Sequence, residues 1–474
     1  MPTQVLDDAA IQQLDASIKG DVLTPGRDGY DDARAVFNAM VDKRPAALVR
    51  CKDPADVMAA VDFARLRAAE VSVRSGGHGV TGSQLSDGGV TIDLTEMRRI
   101  HVDPHARVVR AQAGCTWGEL DAATQEHGLA VTGGRVPSTG IAGLTLGAGS
   151  GWLERKLGFA CDNLLEADVV TADGHFVRAN ETENPDLFWA LKGGGGNFGV
   201  VTQFTYRLHE IGPLIYGGMM VWPGFMAGEV ARAYRDFMAT APDEVGGAVA
   251  FITAPPEPFV PEEARGKPAV GIILTYAGDP DEGERVAAPL QQIAGGPVVN
   301  MVGPMPYVAA QKLIEPGNQP GHRNYWKADM LDDLPDDVID TIAEMAAQVP
   351  SPLSTLLFQP LGGAIERVPT DATAIGRRDG KWAYHLISMW DDPADDERQI
   401  AWTRDLATKL APHASGGVYV TFTSDTGEDR VRDAYRGHYD RLVAIKDRYD
   451  PGNMFRLGQN IRPSVEAAAR ADRP

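Results

Sequence analysis

The sequence predicts a two-domain protein of mixed helix and strand, and three observations carry that expectation. At 474 residues the chain exceeds what one hydrophobic core usually serves, so two cores are the default. Up to about residue 211 short apolar runs alternate with helical patterns, which suggests β-α-β units. Beyond that point prolines gather in "ITAPPEPFVPEEARGKP", and longer strand candidates are separated by amphipathic helices. That pattern predicts an α+β unit built on one antiparallel sheet covered by helices.

In chain order, "AALVRC" reads as a strand, "PADVMAAVDFARLRAA" as a helix and "VSVRS" as a strand again. Further strands are expected in "GVTIDL", "RVVRAQAG" and "LLEADVVTADG", with a helix at "TWGELDAATQEHG" between the last two. The stretch "NPDLFWALKGGGGNFGVVTQFTYRL" runs helix, glycine loop, strand. In the second half "AVGIILTYAG", "STLLFQPLGG", "KWAYHLISMW" and "GVYVTFTS" read as strands, and "LPDDVIDTIAEMAAQ" and "DDERQIAWTRDLATKLAP" as helices. The final "PSVEAAARADRP" reads as a loose tail.

A formal charge of -20 argues against nucleic acid and anionic membranes as partners and for solubility. The start "MPTQVLDDAAIQQLDASIKG" lacks a basic region and an apolar core, and no apolar run approaches a membrane span. A soluble, cytoplasmic protein is expected, monomeric or homodimeric. Cys51, Cys115 and Cys161 are too scattered for a disulfide framework or a metal site, so no metal is expected. Each reads as a small buried apolar side chain.

Glycine is over-used, at 52 of 474 residues, or about 11% against an average near 7%. Much of the excess forms three loops: "RSGGHGVTG", "GGRVPSTGIAGLTLGAGSGW" and "KGGGGNFGVV". The third holds a literal G-x-G-x-x-G at Gly194, Gly196 and Gly199, but it follows a helix and opens a strand. A Rossmann fingerprint needs the reverse order, so nicotinamide binding fails. A Walker loop fails too, because no Gly-Lys-Ser/Thr triplet ends any of these stretches. What remains is general physics: loops without side chains let backbone N–H groups converge on a pyrophosphate without basic residues. Three of them in one half suggest a large phosphate-containing ligand.

The blocks "VSVRSGGHGVTG", "GLTLGAGSGWLERKLGFACDNL", "NPDLFWALKGGGGNFGVVT" and "YDPGNMFRLGQNI", in that order, resemble the berberine-bridge-enzyme-like branch of the vanillyl-alcohol-oxidase flavoproteins, including its members in polyketide biosynthesis. The resemblance implies FAD, an FAD-binding domain of residues 1–211 completed by 430–474, and a substrate domain of residues 212–429. It implies that His78 is bonded covalently to the 8α carbon of the flavin, a role suited to a neutral, nucleophilic imidazole. Around it Arg74, Ser75, Gly76, Gly77, Gly79, Val80 and Gly82 would cradle the cofactor. From the second loop the expected contacts are Val136, Pro137, Thr139, Gly140, Ala142, Gly143, Gly147 and Gly149. The third loop would give Asn197, Gly199, Val200 and Val201, and the C-terminal block Asn460. Where many members carry a second flavin-linking cysteine, this chain has Val136. One covalent link is therefore expected, with a reduction potential less elevated than in doubly linked members.

Flavin chemistry needs a substrate held for hydride transfer and a group that removes a proton from it. The stretch "GGVYVTFTS" resembles a Y-x-N-Y motif with Thr421 and Phe422 replacing its last two residues. Alternation would place Tyr419 and Thr421 on one face, making Tyr419 the candidate base and Gln359 a second substrate-contacting candidate. Lys327, Arg377 and Arg378 are the basic residues available to assist it. The expected activity is hydride transfer from a small or medium organic substrate (an alcohol, an amine, or a phenolic or polyketide-type C–H) to covalent flavin, with O₂ as acceptor. Two alternatives stand beside it: an oxygenase of secondary metabolism, with Thr139 beside the flavin ring, and a flavin-binding protein without turnover.

Overall fold

A computed structural model describes residues 6–417, 421–424 and 427–465. Two main sheets occupy the first half, beside a two-stranded pairing of Leu129–Ala130 with His209–Glu210. In the smaller, strands Ala47–Arg50 and Val71–Arg74 flank Val90–Asp93 in parallel, and Asp21–Leu23 adds an antiparallel edge. The helix Pro54–Leu66 makes the crossover between the first two of these. Asp53 caps it by accepting from the Ala55 and Asp56 N–H groups, Pro54 opens it without losing a bonded N–H, and Val57, Ala60, Val61 and Ala64 bury its inner face. The larger sheet, of five strands, is antiparallel throughout, with Val200–Arg207 between Val108–Gln112 and Leu164–Val170. The alternation of the first half thus reflects parallel crossovers in one sheet only. The helix Trp117–Gln125 begins with a reciprocal cap between Thr116 and Glu119.

The second half forms one antiparallel sheet of eight strands. Its strand Trp382–Trp390 is buried along its whole length, because it lies between Thr355–Pro360 and Arg323–Leu331 and both faces are covered. Helices Ala227–Met238, Asp336–Ala346 and Asp396–Leu410 pack Val230, Tyr234, Ile339 and Leu406 onto Val249, Ile272, Phe358 and Leu386 of one face. The opposite face carries Leu357, His385, Ile387 and Trp326 and turns toward the glycine loops of the first half.

The strand expected over "GVYVTFTS" does not form at Thr421–Ser424. There the chain instead bonds across to Trp326, whose N–H donates to Ser424 Oγ and whose carbonyl accepts from Ser424 N–H, both at 3.0 Å. Tyr419 and most of the expected tail lie outside the described residues. Helices Glu428–Tyr435 and Tyr439–Tyr449 then return to the first half, where Arg441 stacks 3.9 Å over the Trp189 ring and pairs with Asp186 at 3.0 Å. Among the described residues no helix is long and apolar enough to cross a membrane.

Candidate active site

A cavity of about 360 Å³ lies between the glycine loops and the face of the eight-stranded sheet that carries Leu357 and His385. Its wall takes Ser75 to Val80 from the first loop, Val136, Thr139, Gly140, Ala142, Gly143 and Gly147 from the second, and Asn197, Gly199, Val200 and Val201 from the third. The first two loops touch backbone to backbone. A Cβ on Gly76 would sit 2.2 Å from Gly140 N, and one on Gly140 would sit 2.3 Å from Gly76 N, so neither position admits a side chain. Gly143 and Gly196 differ, since a Cβ on either meets nothing within 4 Å. Both open onto space a ligand can fill.

His78 stands in this wall. Its ring stacks on Phe37 at 4.3 Å, and its Nε2 lies 2.8 Å from Ser138 Oγ. Surrounding protein disfavours the charged imidazolium and lowers its pKa to about 4, so the ring is neutral near pH 7.

The C-terminal segment is strapped to the third loop through Asn197. The Asn197 amide donates to the carbonyls of Gly194 at 2.9 Å and Gln459 at 3.0 Å, and its Oδ1 accepts from Ile461 N–H at 3.0 Å. Beneath it the buried Lys446 ammonium donates to the Asn197 carbonyl at 2.8 Å, the Phe455 carbonyl at 2.9 Å and Asp450 at 2.5 Å. That arrangement brings Phe455 to Gln459 into the cavity wall.

Six expected site residues stand elsewhere. Arg74 turns away from the cavity, donating to the Ala35 carbonyl at 3.1 Å and facing Asp93 at 3.7 Å. Gly82 makes a left-handed turn (φ +73°) against Val41, and Gly149 another (φ +89°) against Ala160. Pro137 covers Gly118, and Asn460 is not among the cavity-lining residues. Gln359 lies just behind the wall, where its amide donates to Ser150 Oγ at 3.1 Å.

The expected basic helpers are also placed away from the wall. Arg378 forms a buried pair with Asp162 at 2.6 Å, and Arg377 pairs with Asp379 at 2.6 Å. Lys327 lies on the strand face opposite Trp326, its ammonium 5.9 Å from the Tyr325 ring. The alternation expected around residue 421 fails as well, because Thr421 and Phe422 both line the cavity.

Sequence reading missed two groups of residues. One is aromatic: Phe37, Trp326, His385 and Phe422 run from His78 up to the sheet. Phe37 meets Trp326 edge-on at 5.9 Å, Trp326 meets His385 at 4.8 Å, and His385 stacks parallel on Phe422 at 4.6 Å. The other is polar. The Arg135 guanidinium, also in the wall, donates to Ser150 at 2.9 Å and Glu154 at 3.1 Å, and lies 4.8 Å over the Trp152 ring. Ser150 in turn donates to Glu154. Burial raises the Glu154 pKa, with Arg135 holding it back down. Only the alternation of "STLLFQ" and "AYHLIS" hinted that Leu357 and His385 share a face.

Two family matches complete the picture: an FAD binding domain over residues 45–180, and the berberine and berberine-like family over residues 418–462. An FAD-linked oxidoreductase from Dictyostelium discoideum is 30% identical over 96% of this chain and 97% of its own length. The chain belongs to the berberine-bridge-enzyme-like FAD-linked oxidoreductases. Within that family it is similar to the (R)-6-hydroxynicotine oxidase of Paenarthrobacter nicotinovorans, 30% identical over 94% of this chain and 97% of the relative. The crystal structure of 6-hydroxy-D-nicotine oxidase from Arthrobacter nicotinovorans superposes with a TM-score of 0.85, at 28% identity, covering 94% of this chain and 98% of that one. Xylooligosaccharide oxidase from Myceliophthora thermophila, at 23% identity and a TM-score of 0.84 over 96% and 99% of the two chains, shares the fold. The protein is thus an FAD-dependent oxidoreductase of α+β, vanillyl-alcohol-oxidase-type fold. The open space at Gly143 and Gly196, beside N–H-rich loops, fits such a cofactor.

Proposed function

We propose that the protein is an oxidase carrying FAD on a single covalent bond to His78, and that it oxidises a small or medium organic substrate with O₂ as acceptor. Bound there, the flavin supplies a two-electron acceptor for a hydride from a substrate C–H. The observation that carries the reading is His78 itself, a neutral imidazole fixed in the wall of a cavity built from three glycine loops. In the tautomer whose Nε2–H donates to Ser138 Oγ, Nδ1 carries the lone pair for the bond, and Phe37 holds the ring plane. Single linkage is supported by Val136 in the wall and by Cys51, Cys115 and Cys161, all buried and outside it. In this reading residues 1–211 with 430–474 bind the cofactor, and residues 212–429 form the substrate side.

The chain's own residues exclude water from the substrate space: Trp326, Ile387, Leu357 and Phe422 present hydrocarbon to it. The test starts with denatured protein. Acid-precipitated wild type should be yellow and fluorescent on a denaturing gel, and His78→Ala should lose both signals. A proteolytic digest should give one flavinylated peptide, containing His78. A colourless wild-type precipitate refutes the covalent bond, and a flavin on any cysteine peptide refutes single linkage. For the activity, a substrate that bleaches the flavin without oxygen should yield one hydrogen peroxide per turnover in air. Labelled O₂ appearing in the product would instead indicate an oxygenase.

A further inference from the structure

We propose that His385 contacts substrate directly, accepting a hydrogen bond from a hydroxyl carried by an uncharged aromatic molecule. The inference rests on the cavity being the substrate site of the oxidase. His385 occupies the fully buried strand Trp382–Trp390, opposite Leu357 and Ala328 in register, so its ring faces the cavity from the strand next to the sheet's edge. Phe422 lies parallel to it and Trp326 stands edge-on, which fixes the ring plane without using its nitrogens. Its Nε2 is shielded from solvent and has no hydrogen-bond partner among the described residues. In the Nδ1–H tautomer this is a shielded acceptor without a donor, an unfavourable state that a ligand hydroxyl relieves.

The neighbours define the ligand further. Gln359, diagonal to His385 across the strand pair, spends its amide N–H on Ser150 and keeps its Oε1 shielded and without a partner. Because Gln359 lies behind the wall, His385 is the acceptor that faces the ligand. Charge narrows the ligand further. Among the described residues no carboxylate lines the cavity, and the Arg135 guanidinium does, so a protonated amine would be desolvated without a counter-ion. Glu154 neutralises Arg135 from behind the wall, and the other lining cation among the described residues, Arg456, belongs to the C-terminal segment strapped to the third glycine loop and not to the sheet that carries His385. Burial, with Arg135 nearby, lowers the His385 pKa to about 3, so the ring stays an acceptor at neutral pH. The rings of Phe37, Trp326 and Phe422 supply flat apolar surface for an aromatic ligand.

The test uses the holoenzyme and three probes: 4-methylphenol, toluene and benzylamine. Binding is read by calorimetry and by the change in flavin absorbance. Wild type should bind 4-methylphenol about three- to tenfold more tightly than toluene, the net worth of one buried hydrogen bond, and should not detectably bind benzylamine. His385→Phe should bind both neutral probes equally, with toluene affinity unchanged or improved, while His385→Gln, which keeps an acceptor, should restore part of the preference. Normal flavin content and thermal midpoint identify folded variants. The proposal is overturned if His385→Phe keeps the full preference for 4-methylphenol, or if benzylamine binds wild type as tightly as 4-methylphenol. A protein that shows this discrimination, yet whose flavin no organic substrate reduces, supports the role of His385 and defeats the oxidase reading instead.

Discussion

Exchanging a glycine for alanine at Gly140 and at Gly143, three residues apart on one loop, should move stability in opposite directions. Gly140 has ordinary backbone angles (φ -68°, ψ 142°), so alanine there is not strained and gains about 0.4–1 kcal/mol by restricting the unfolded chain. Against that gain, its methyl would lie 2.3 Å from Gly76 N, 2.7 Å from Gly76 Cα and 2.7 Å from Ser75 Oγ. Two of those atoms are backbone, and the loops must separate, which typically costs about 1–3 kcal/mol and often more for backbone contacts. The net expectation is a loss of about 1–2 kcal/mol, or roughly 2–8 °C in thermal midpoint for a domain of about 200 residues. Gly143 lies inside the helix Ile141–Leu146 and its Cβ meets nothing within 4 Å, so alanine should stabilise by about 0.5–1 kcal/mol. Its methyl, however, enters the cavity, so flavin incorporation should fall. Thermal melts of protein expressed under riboflavin starvation, paired with flavin-to-protein ratios after normal expression, measure both effects. A Gly140→Ala protein as stable as wild type would show that the two loops do not meet as described.

Asp121 is buried against Gln311, whose amide donates to it at 2.9 Å, and burial raises its pKa to about 7. Its folded pKa lies above the unfolded value near 3.9, so the folded state binds the extra proton and stability is lost as pH rises from about 4 through 7. Asp121→Asn, which mimics the protonated acid, should gain on wild type by about 2–3 kcal/mol between pH 5 and pH 8 in urea denaturation, and an equal difference at both would contradict the assignment. Lys446→Met leaves Asp450 as a buried charge without its cation, at about 3–5 kcal/mol. It should expose residues after 450 to limited proteolysis and lower flavin content, and an unchanged cleavage pattern would refute the strap. Glu154→Gln removes the buried negative charge beside Arg135. Benzoate binding by the holoenzyme should then tighten by about tenfold or more; no change would mean that Glu154 does not set the charge of the cavity.

The glycine loops were legible in the sequence because what they do is local. Gly77 needs no side chain to adopt φ +70°, and a histidine among glycines stands out wherever the chain goes. The helices opening at "PADV" and "TWGEL", and the strand in "KWAYHLISMW", were legible for the same reason, since their signals lie within a few residues of where they act. What only tertiary structure decided was which side chains meet across the cavity. Phe37, Trp326, His385 and Phe422 come from segments far apart in the chain, and each alone reads as an ordinary core aromatic. Arg135 and Glu154 are 19 positions apart on an irregular stretch whose path no period predicts. Residues 421–424 were misjudged because apolar alternation promised a strand, whereas the chain there is held by hydrogen bonds to Trp326 on another element. Arg74 carried a cofactor expectation that Ala35 and Asp93 had already claimed. Local conformational preference is written residue by residue, but the choice of partner for a side chain belongs to the packing of the whole molecule.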